Sequence, residues 1–390
     1  MSVEVVSLGC RLNLSESESL RALLAGADDL VVVNSCAVTA EAVRQTRQAI
    51  RRARLARPSA RLLVTGCAAE VERASIAAMP EVDGLVANTA KLDPRAWNVA
   101  QASRVAPSRH TRAFIAVQNG CDHACTFCVI PQGRGASRSL SVPQVLDAVA
   151  EHLDVGAREV VLTGVDLTSW GGDLPGEPRL GQLVSAILDA FPALARLRLS
   201  SLDGVEIDPL LLDLIGGEQR IMPHVHLSLQ SGDDLVLKRM KRRHSRADAV
   251  ALVESLRAQR PDLAVGADII AGFPTESEAA HAANLSIIRE LGVVHGHVFP
   301  YSPRPGTPAA RMPHVAPATI RARAAELRAE VARERAGWLA AHIGQSLEVL
   351  AERDGTGHAP DFARVALPPG TAAGALIAIT PTRIVEGLLA

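Results

Sequence analysis

The chain has 390 residues, 48% of them hydrophobic and 21% charged, which is enough for two or three folded domains with buried cores. Its 41 basic and 42 acidic residues leave a formal net charge of −1, so no global positive field marks a nucleic-acid partner and RNA contacts must come from local basic patches. Aromatic residues, at 3%, exclude a surface that stacks many single-stranded bases.

The opening segment MSVEVVSLGC has neither the basic start nor the apolar core of a signal peptide. No uncharged apolar run reaches the roughly 18 residues that cross a bilayer, so no membrane contact is expected and the expected location is the cytoplasm. Three short apolar runs follow one another, Val3 to Cys10, Leu30 to Cys36 and Leu62 to Cys67, and each ends in a small residue and then cysteine. Helix-patterned segments separate them. Val/Leu runs alternating with helices predict a parallel sheet covered on both faces, so residues 1–100 read as a doubly wound α/β domain. Ligands of such sheets collect beyond the carboxyl ends of the strands, where Cys10, Cys36 and Cys67 fall. Free cysteine also packs as a small hydrophobe, but equivalent placement at three strand ends points to a shared ligand. In a reducing compartment, six cysteines read as metal ligation or redox chemistry rather than disulfides.

Arg44, Arg47, Arg51 and Arg54 share one face of the second helix, with Arg52 and Arg57 nearby. Such a stripe either follows a phosphate backbone or forms a solvated helix face. A polar, alanine-rich stretch at 93–112, containing Pro94 and Pro107, marks a boundary. From Phe114 come six strand candidates, FIAVQ, EVVLTG, RLRLSS, HVHLSLQ, VGADIIAG and HVFPYS, with amphipathic stretches such as Val142 to Leu153 and Ala247 to Arg257 between them. Six β/α units over 108–335 predict an incomplete (βα)6 barrel related to the TIM barrel, with its site at the carboxyl ends of the strands. Beyond Pro317, IRARAAELRAEVARERAGWLAAHIG reads as one charged helix. Short β-like runs over 343–390 predict a small carboxyl-terminal β-barrel.

The sharpest local feature is Cys121-Asp-His-Ala-Cys125-Thr-Phe-Cys128, directly after FIAVQ. Three thiolates hold three irons of a cubane and leave the fourth open, as a cluster needs if it is to bind a substrate at iron rather than only carry electrons. Zinc sites favour two close cysteine pairs, and no second pair exists here, so His123 reads as a loop residue and not a ligand.

This triplet, with Phe127 before its third cysteine, resembles the radical S-adenosylmethionine superfamily. The resemblance implies a 4Fe–4S cluster whose open iron is chelated by the amino and carboxylate groups of S-adenosylmethionine. An electron then splits the sulfonium into methionine and a 5′-deoxyadenosyl radical, and Phe127 lies beside the adenine. Thr163 and Gly164 resemble the segment that receives the methionine amino group, and Ser200 and Gln230 the polar groups that reach carboxylate and ribose. Gly272, Phe273 and Pro274, with Phe299 and Tyr301, resemble the apolar wall around adenine.

The motifs GCRLNLSESE, VVVNSCAVTAEA, LLVTGC, QNGCDHACTFCVIPQGRGASRS, HLSLQSG and FPYSPRPGTPAARM together resemble the methylthiotransferases of that superfamily over the whole chain. The family implies a second 4Fe–4S cluster on Cys10, Cys36 and Cys67 that carries sulfur, which one S-adenosylmethionine methylates. A second molecule supplies the radical that activates a C–H bond, and the methylthio group goes to carbon. Asn13 either helps shape the auxiliary site or serves a turn or cap. Implied partners are tRNA, an electron donor such as flavodoxin or ferredoxin, and a sulfur donor. The tail resembles the RNA-binding TRAM domain of the family but is short and poor in Lys and Arg.

Family substrates are isopentenyladenosine or threonylcarbamoyladenosine in tRNA and an aspartate of a ribosomal protein. NSCAVTAEA, GCRLN and HVFPYSPRPGTPAA resemble the threonylcarbamoyladenosine branch. An anticodon-loop adenosine is unpaired, so it can be splayed into a pocket at limited unstacking cost. The basic run Lys238 to Arg243 follows HLSLQSG and is expected near the mouth of the site, facing substrate or cofactor. A non-catalytic iron–sulfur carrier or RNA-binding module is the reading from another class, and two three-cysteine sets with open irons argue against it.

Overall fold

A computed structural model of the protein describes residues 3–99 and 111–390, so the boundary expected at 93–112 lies mostly outside the described residues. Four parallel strands, β1 (Val3–Ser7), β2 (Leu30–Ser35), β3 (Arg61–Gly66) and the short β4 (Gly84–Leu85), form the first sheet. Their Val/Leu runs supply both faces. Val31, Val33, Leu62 and Val64 pack with Val43 and Ile50 of the helix Ala40–Ala56, whereas Val5, Leu30, Val32 and Leu63 pack with Leu20 of the helix Arg11–Leu23. Two covered faces match the sequence expectation. The strand order does not: it runs β1-β2-β3-β4 without the reversal that defines a doubly wound sheet. With no reversal there is no switch-point crevice, and the loops at the carboxyl ends of β1, β2 and β3 must shape the site themselves.

The second series comprises β5 (Arg112–Ala116), β6 (Gln118–Asn119), β7 (Arg138–Ser139), β8 (Glu159–Thr163), β9 (Arg196–Leu199), β10 (His224–Gln230), β11 (Ala264–Ala271) and β12 (Val293–Pro300). β5-β8-β9 and β10-β11-β12 are parallel sheets, and parallel bridges Leu197 to Ile221 and Leu202 to Leu227 connect them. The antiparallel pair β6–β7 ties the two ends of the cysteine loop together. Val160, Leu162, Leu197, Val225, Leu227, Val265, Ala267 and Ile269 form one apolar cluster with Val149, Ile187, Leu256, Ile287 and Leu327 from the surrounding helices. Strand side chains alternate, so His224, His226, Ser228 and Gln230 of β10 face the opposite, inner side. The charged stretch after Pro317 is one helix, Pro317–Ala340, as its sequence predicts.

The tail contributes β13 (Leu347–Ala351), β14 (Thr356–His358), β15 (Arg364–Ala366), β16 (Leu376–Ile379), β17 (Ile384–Val385) and β18 (Leu388–Leu389), in the order β16-β13-β14-β15-β18-β17. Among the described residues no pairing joins β16 to β17, so this is an open six-stranded sheet where a closed β-barrel is expected. Strands of two or three residues are too short to supply the closing ladder. The sheet docks on the amino ends of the central strands. Buried Arg196 donates to the carbonyls of Glu348 and His358, and Arg198 donates to those of Ala359 and Pro360 and to Glu159. Phe362 completes the contact, stacked on the His224 and His358 rings with Arg11, Arg112 and Arg198 about its own. No helix among the described residues is long and apolar enough to cross a membrane.

Candidate active site

All six cysteines are free and stand at two places. In the first, Cys10 precedes the helix Arg11–Leu23, Cys36 follows β2, and Cys67 follows β3 as the first residue of a short helix. Gly9 has φ of +93°, and a Cβ there would lie 2.8 Å from Cys36 Sγ, so glycine lets the Cys10 and Cys36 loops close on each other. Asn13 is buried and ties the same loops: its Nδ2 donates to Leu8 O at 2.7 Å and Ser35 O at 3.0 Å, and its Oδ1 accepts from Arg134 at 2.5 Å. Of the roles open to Asn13, shaping this site is the one its contacts fit. Burial pushes the Cys36 thiol up to about 11 and raises Cys67, with Cys10 adding to both. Protonated thiols crowded together suit a cation that removes their protons, which fits this donor set to an iron–sulfur cluster.

Beneath these thiols lies a charge network that no local sequence pattern announced. Glu16 meets Lys91 Nζ at 2.5 Å and Arg134 Nη1 at 2.9 Å, all three side chains 2% exposed. Burial opposes the charge on Glu16, but the two cations outweigh it and hold the carboxyl below its usual range. Two cations against one carboxylate leave a positive excess, and Arg134 and Lys91 lower the Cys67 thiol against its burial. That excess favours an anionic thiolate-bound group. Glu16→Ala would leave Lys91 and Arg134 buried without their partner and is expected to destabilise the fold by about 3–5 kcal/mol, read by urea unfolding.

The second set sits in the loop between β6 and β7. Gly120, at φ +78°, has Ala136 O where a Cβ would be, 1.9 Å away, so only glycine fits. Gln118 staples the loop to the end of β8: Nε2 donates to Gly120 O at 2.9 Å, and Oε1 accepts from Val165 N at 3.0 Å and Asp166 N at 2.9 Å. Thr126 N donates to Met240 O at 3.1 Å, which anchors the loop's far side. Arg242 Nη1 lies 3.7 Å from Cys125 Sγ, and Asp166 Oδ2 lies 3.8 Å from Cys121 Sγ. Burial pushes Cys121 up to about 12 and Cys128 up to about 11, and neighbouring thiols of the triplet add to each. The two sets adjoin: Gly133, just past the triplet, packs on Cys67 closely enough that a Cβ would lie 3.2 Å from the Cys67 Cβ, and Asn88 Nδ2 donates to Gly133 O at 2.5 Å while lying 3.9 Å from Cys67 Sγ. His123 is an ion-pair residue: its Nε2 lies 2.6 Å from Asp166, whose hydrogen bond pushes the imidazole up to about 10.

The strand-end residues divide. Thr163 is buried at the end of β8, and Gly164 presses on Gln118 Oε1, which a Cβ would approach to 2.9 Å. Ser200 Oγ and Tyr301 Oη are buried without a hydrogen-bond partner, as expected of groups that await a ligand. Gln230 ends β10 at φ +67°, beside a break in register. Phe127 meets Phe273 edge to face at 6.4 Å, and Phe273 meets Tyr301 at 5.7 Å. Phe273 is fully buried, however, and the missing Cβ of Gly272 points at Ile320, 2.6 Å away, so both serve packing behind the wall expected around adenine. Phe299 stands apart, exposed and edge-on to His297.

The arginine stripe resolves as a paired face. Arg44 meets Glu41, Arg47 meets Glu72 at 2.7 Å, Arg51 meets Glu81 at 3.8 Å, Arg54 meets Asp83 at 2.6 Å and Arg57 meets Asp29, which leaves little of the stripe for phosphates. Arg242 and Arg243, by contrast, lie beside the triplet, on Asp203 at 2.8 and 3.0 Å.

Residues 2–87 match the model of the uncharacterized protein family UPF0004, and residues 115–285 that of the radical SAM superfamily. A threonylcarbamoyladenosine tRNA methylthiotransferase MtaB of Rickettsia prowazekii (strain Madrid E) is 42% identical, with 99% of this chain and 96% of that protein covered. The chain belongs to the radical S-adenosylmethionine methylthiotransferase family. A tRNA-2-methylthio-N(6)-dimethylallyladenosine synthase of Erythrobacter litoralis (strain HTCC2594) is 33% identical over 90% of this chain and 86% of its own. Among solved structures, the radical S-adenosylmethionine methyltransferase TsrM of Kitasatospora setae, with cobalamin and a 4Fe–4S cluster bound, aligns with a TM-score of 0.53 at 14% identity. That alignment covers 76% of this chain and 68% of TsrM and shows a shared fold. As a member of this family, the methylthiotransferase uses S-adenosylmethionine and a 4Fe–4S cluster. The two matched segments divide the cysteines, Cys10, Cys36 and Cys67 in one and Cys121, Cys125 and Cys128 in the other.

Proposed function

We propose that this methylthiotransferase adds a methylthio group to C2 of N6-threonylcarbamoyladenosine next to the anticodon of tRNA. In this assignment Cys121, Cys125 and Cys128 hold one 4Fe–4S cluster, and Cys10, Cys36 and Cys67 hold a second. The observation that carries it is the packing of Gly133, just past the triplet, on Cys67, where a Cβ would lie 3.2 Å from the Cys67 Cβ, because a sulfur carried at one set must meet a substrate activated at the other. When bound, the cofactors supply a 5′-deoxyadenosyl radical at the triplet and sulfur at the amino-terminal set.

The chain's own residues position these groups. The unpartnered hydroxyls of Ser200 and Tyr301, with Gln230, Thr163 and Gly164, support S-adenosylmethionine binding at the strand ends, Phe127 lies toward adenine, and Phe299 lines the inner side. Gly272 turns the chain after β11 so that Tyr301 and its neighbours converge. Lys91 and Arg134 balance the negative charge of thiolate ligands at the first set. Residues 1–100 would form the auxiliary-cluster domain, 108–335 the six-unit partial barrel, and 343–390 a short TRAM-like domain that meets RNA. Turnover needs an electron donor such as flavodoxin or ferredoxin and a sulfur donor, and its setting is the cytoplasm.

The choice of threonylcarbamoyladenosine is supported by the higher identity to the MtaB relative, 42% against 33% for the dimethylallyladenosine synthase. Nucleoside mass spectrometry of total tRNA from cells with and without the gene tests it. Selective loss of 2-methylthio-threonylcarbamoyladenosine is expected. Loss of the isopentenyl counterpart would move the enzyme to the sister branch, and unchanged tRNA would move it to the ribosomal-protein aspartate.

A further inference from the structure

Three neighbouring strands bring together a set of ligating side chains that neither cysteine set uses. Asp268 Oδ1, on β11, lies 3.0 Å from His226 Nε2 on β10 and 3.1 Å from His297 Nδ1 on β12. The two imidazole centroids are 4.6 Å apart, and the three donor atoms all lie within 4.8 Å of one another. Ligand atoms bound at about 2.0–2.1 Å on adjacent corners of a tetrahedron or octahedron are themselves about 3 Å apart, so the two distances from Asp268 already match edges of a coordination polyhedron. Two imidazoles and one carboxylate, with corners left over, are the donor set of mononuclear zinc and iron(II) sites.

The backbone is adapted to this set. Gly266 sits inside the central strand β11, where glycine is disfavoured, and a Cβ there would fall 2.3 Å from His226 Nδ1. Leaving out that one atom makes room for the imidazole. His297 is exposed on the edge strand β12 and Asp268 is partly exposed, so the free corners face the open inner side beside Phe299. Gln230 lies four residues further along β10, roughly 13 Å at the strand rise, which separates this place from the strand ends expected to hold S-adenosylmethionine.

We propose that His226, Asp268 and His297 form a third metal site, for a divalent first-row cation, with open coordination positions on the inner side of the strands. A simple hydrogen-bonded triad would use the same contacts but would take up no metal, and this separates the two readings.

The test is anaerobic equilibrium dialysis of the cluster-reconstituted enzyme against zinc, followed by metal analysis and X-ray absorption at the zinc edge. The wild type is expected to retain an extra equivalent of zinc with only nitrogen and oxygen neighbours, at about 2.0–2.1 Å. His297→Ala, at an exposed position, and the isosteric Asp268→Asn should each weaken retention at least tenfold, about the lower bound for disturbing a metal site, while iron and sulfide content stay unchanged. No zinc uptake by the wild type, uptake undiminished in both variants, or sulfur neighbours at about 2.3 Å would overturn the proposal. None of these readouts depends on tRNA modification, so the site and the proposed reaction can fail separately.

Discussion

Replacing Cys125 with alanine should reduce release of 5′-deoxyadenosine and methionine from S-adenosylmethionine to background under anaerobic, reducing conditions. The loop of the triplet is held on both sides, by Gln118 at its entrance and by Thr126 on Met240, so its three thiols are placed by the fold and not by the cluster alone. All six cysteines of the chain belong to the two sets, so no spare thiol can take the lost position. Cys125 is partly exposed and alanine is smaller, so the fold should persist. The amino-terminal set should keep its own spectrum, read by Mössbauer spectroscopy of iron-57-reconstituted protein. Release at the wild-type rate would remove the triplet from the chemistry.

Cys67→Ala should separate two activities that the wild type couples. Cys67 is buried at the start of a short helix, with Gly133 packed against it and Asn88 Nδ2 3.9 Å from its sulfur. The substitution keeps the Cβ that meets Gly133 and removes only the ligand atom. The triplet, its staples and the strand-end hydroxyls are untouched, so S-adenosylmethionine cleavage should continue. Methylthio transfer to tRNA should fall below detection by nucleoside mass spectrometry, because the sulfur is expected to reside at the first set. Modified nucleoside at the wild-type level would exclude that set as the sulfur site, whatever the fate of cleavage.

Much of the site was legible because its key residues sit at strand ends, and strands buried on both faces show in the sequence as short Val/Leu runs. Each run ending in cysteine puts Cys10, Cys36 and Cys67 at strand ends from the sequence alone, and the triplet after FIAVQ is plain from its spacing. What stayed hidden depends on partners far apart in the chain. Glu16 joins Lys91 across 75 residues and Arg134 across 118, and no local period reports such a pairing. Strand order is hidden for the same reason, since periodicity shows that a strand exists but not which neighbour it takes. The arginine stripe misled because helical spacing shows a shared face but not the acids, such as Glu72, Glu81 and Asp83, that fold back to meet it. Gln118 carried a usable signal, a polar residue closing an apolar run just ahead of the first cysteine of the triplet.

The docking of Phe362 against His224, with the arginines of β5 and β9 around it, also closes off one end of the central strands. It covers the amino ends of the central strands, opposite the carboxyl ends where the candidate site lies. In the proposed reaction the tail would serve even where it touches no RNA, because an opening at that end would admit small hydrogen donors such as thiols to a radical that has to find a single C–H bond.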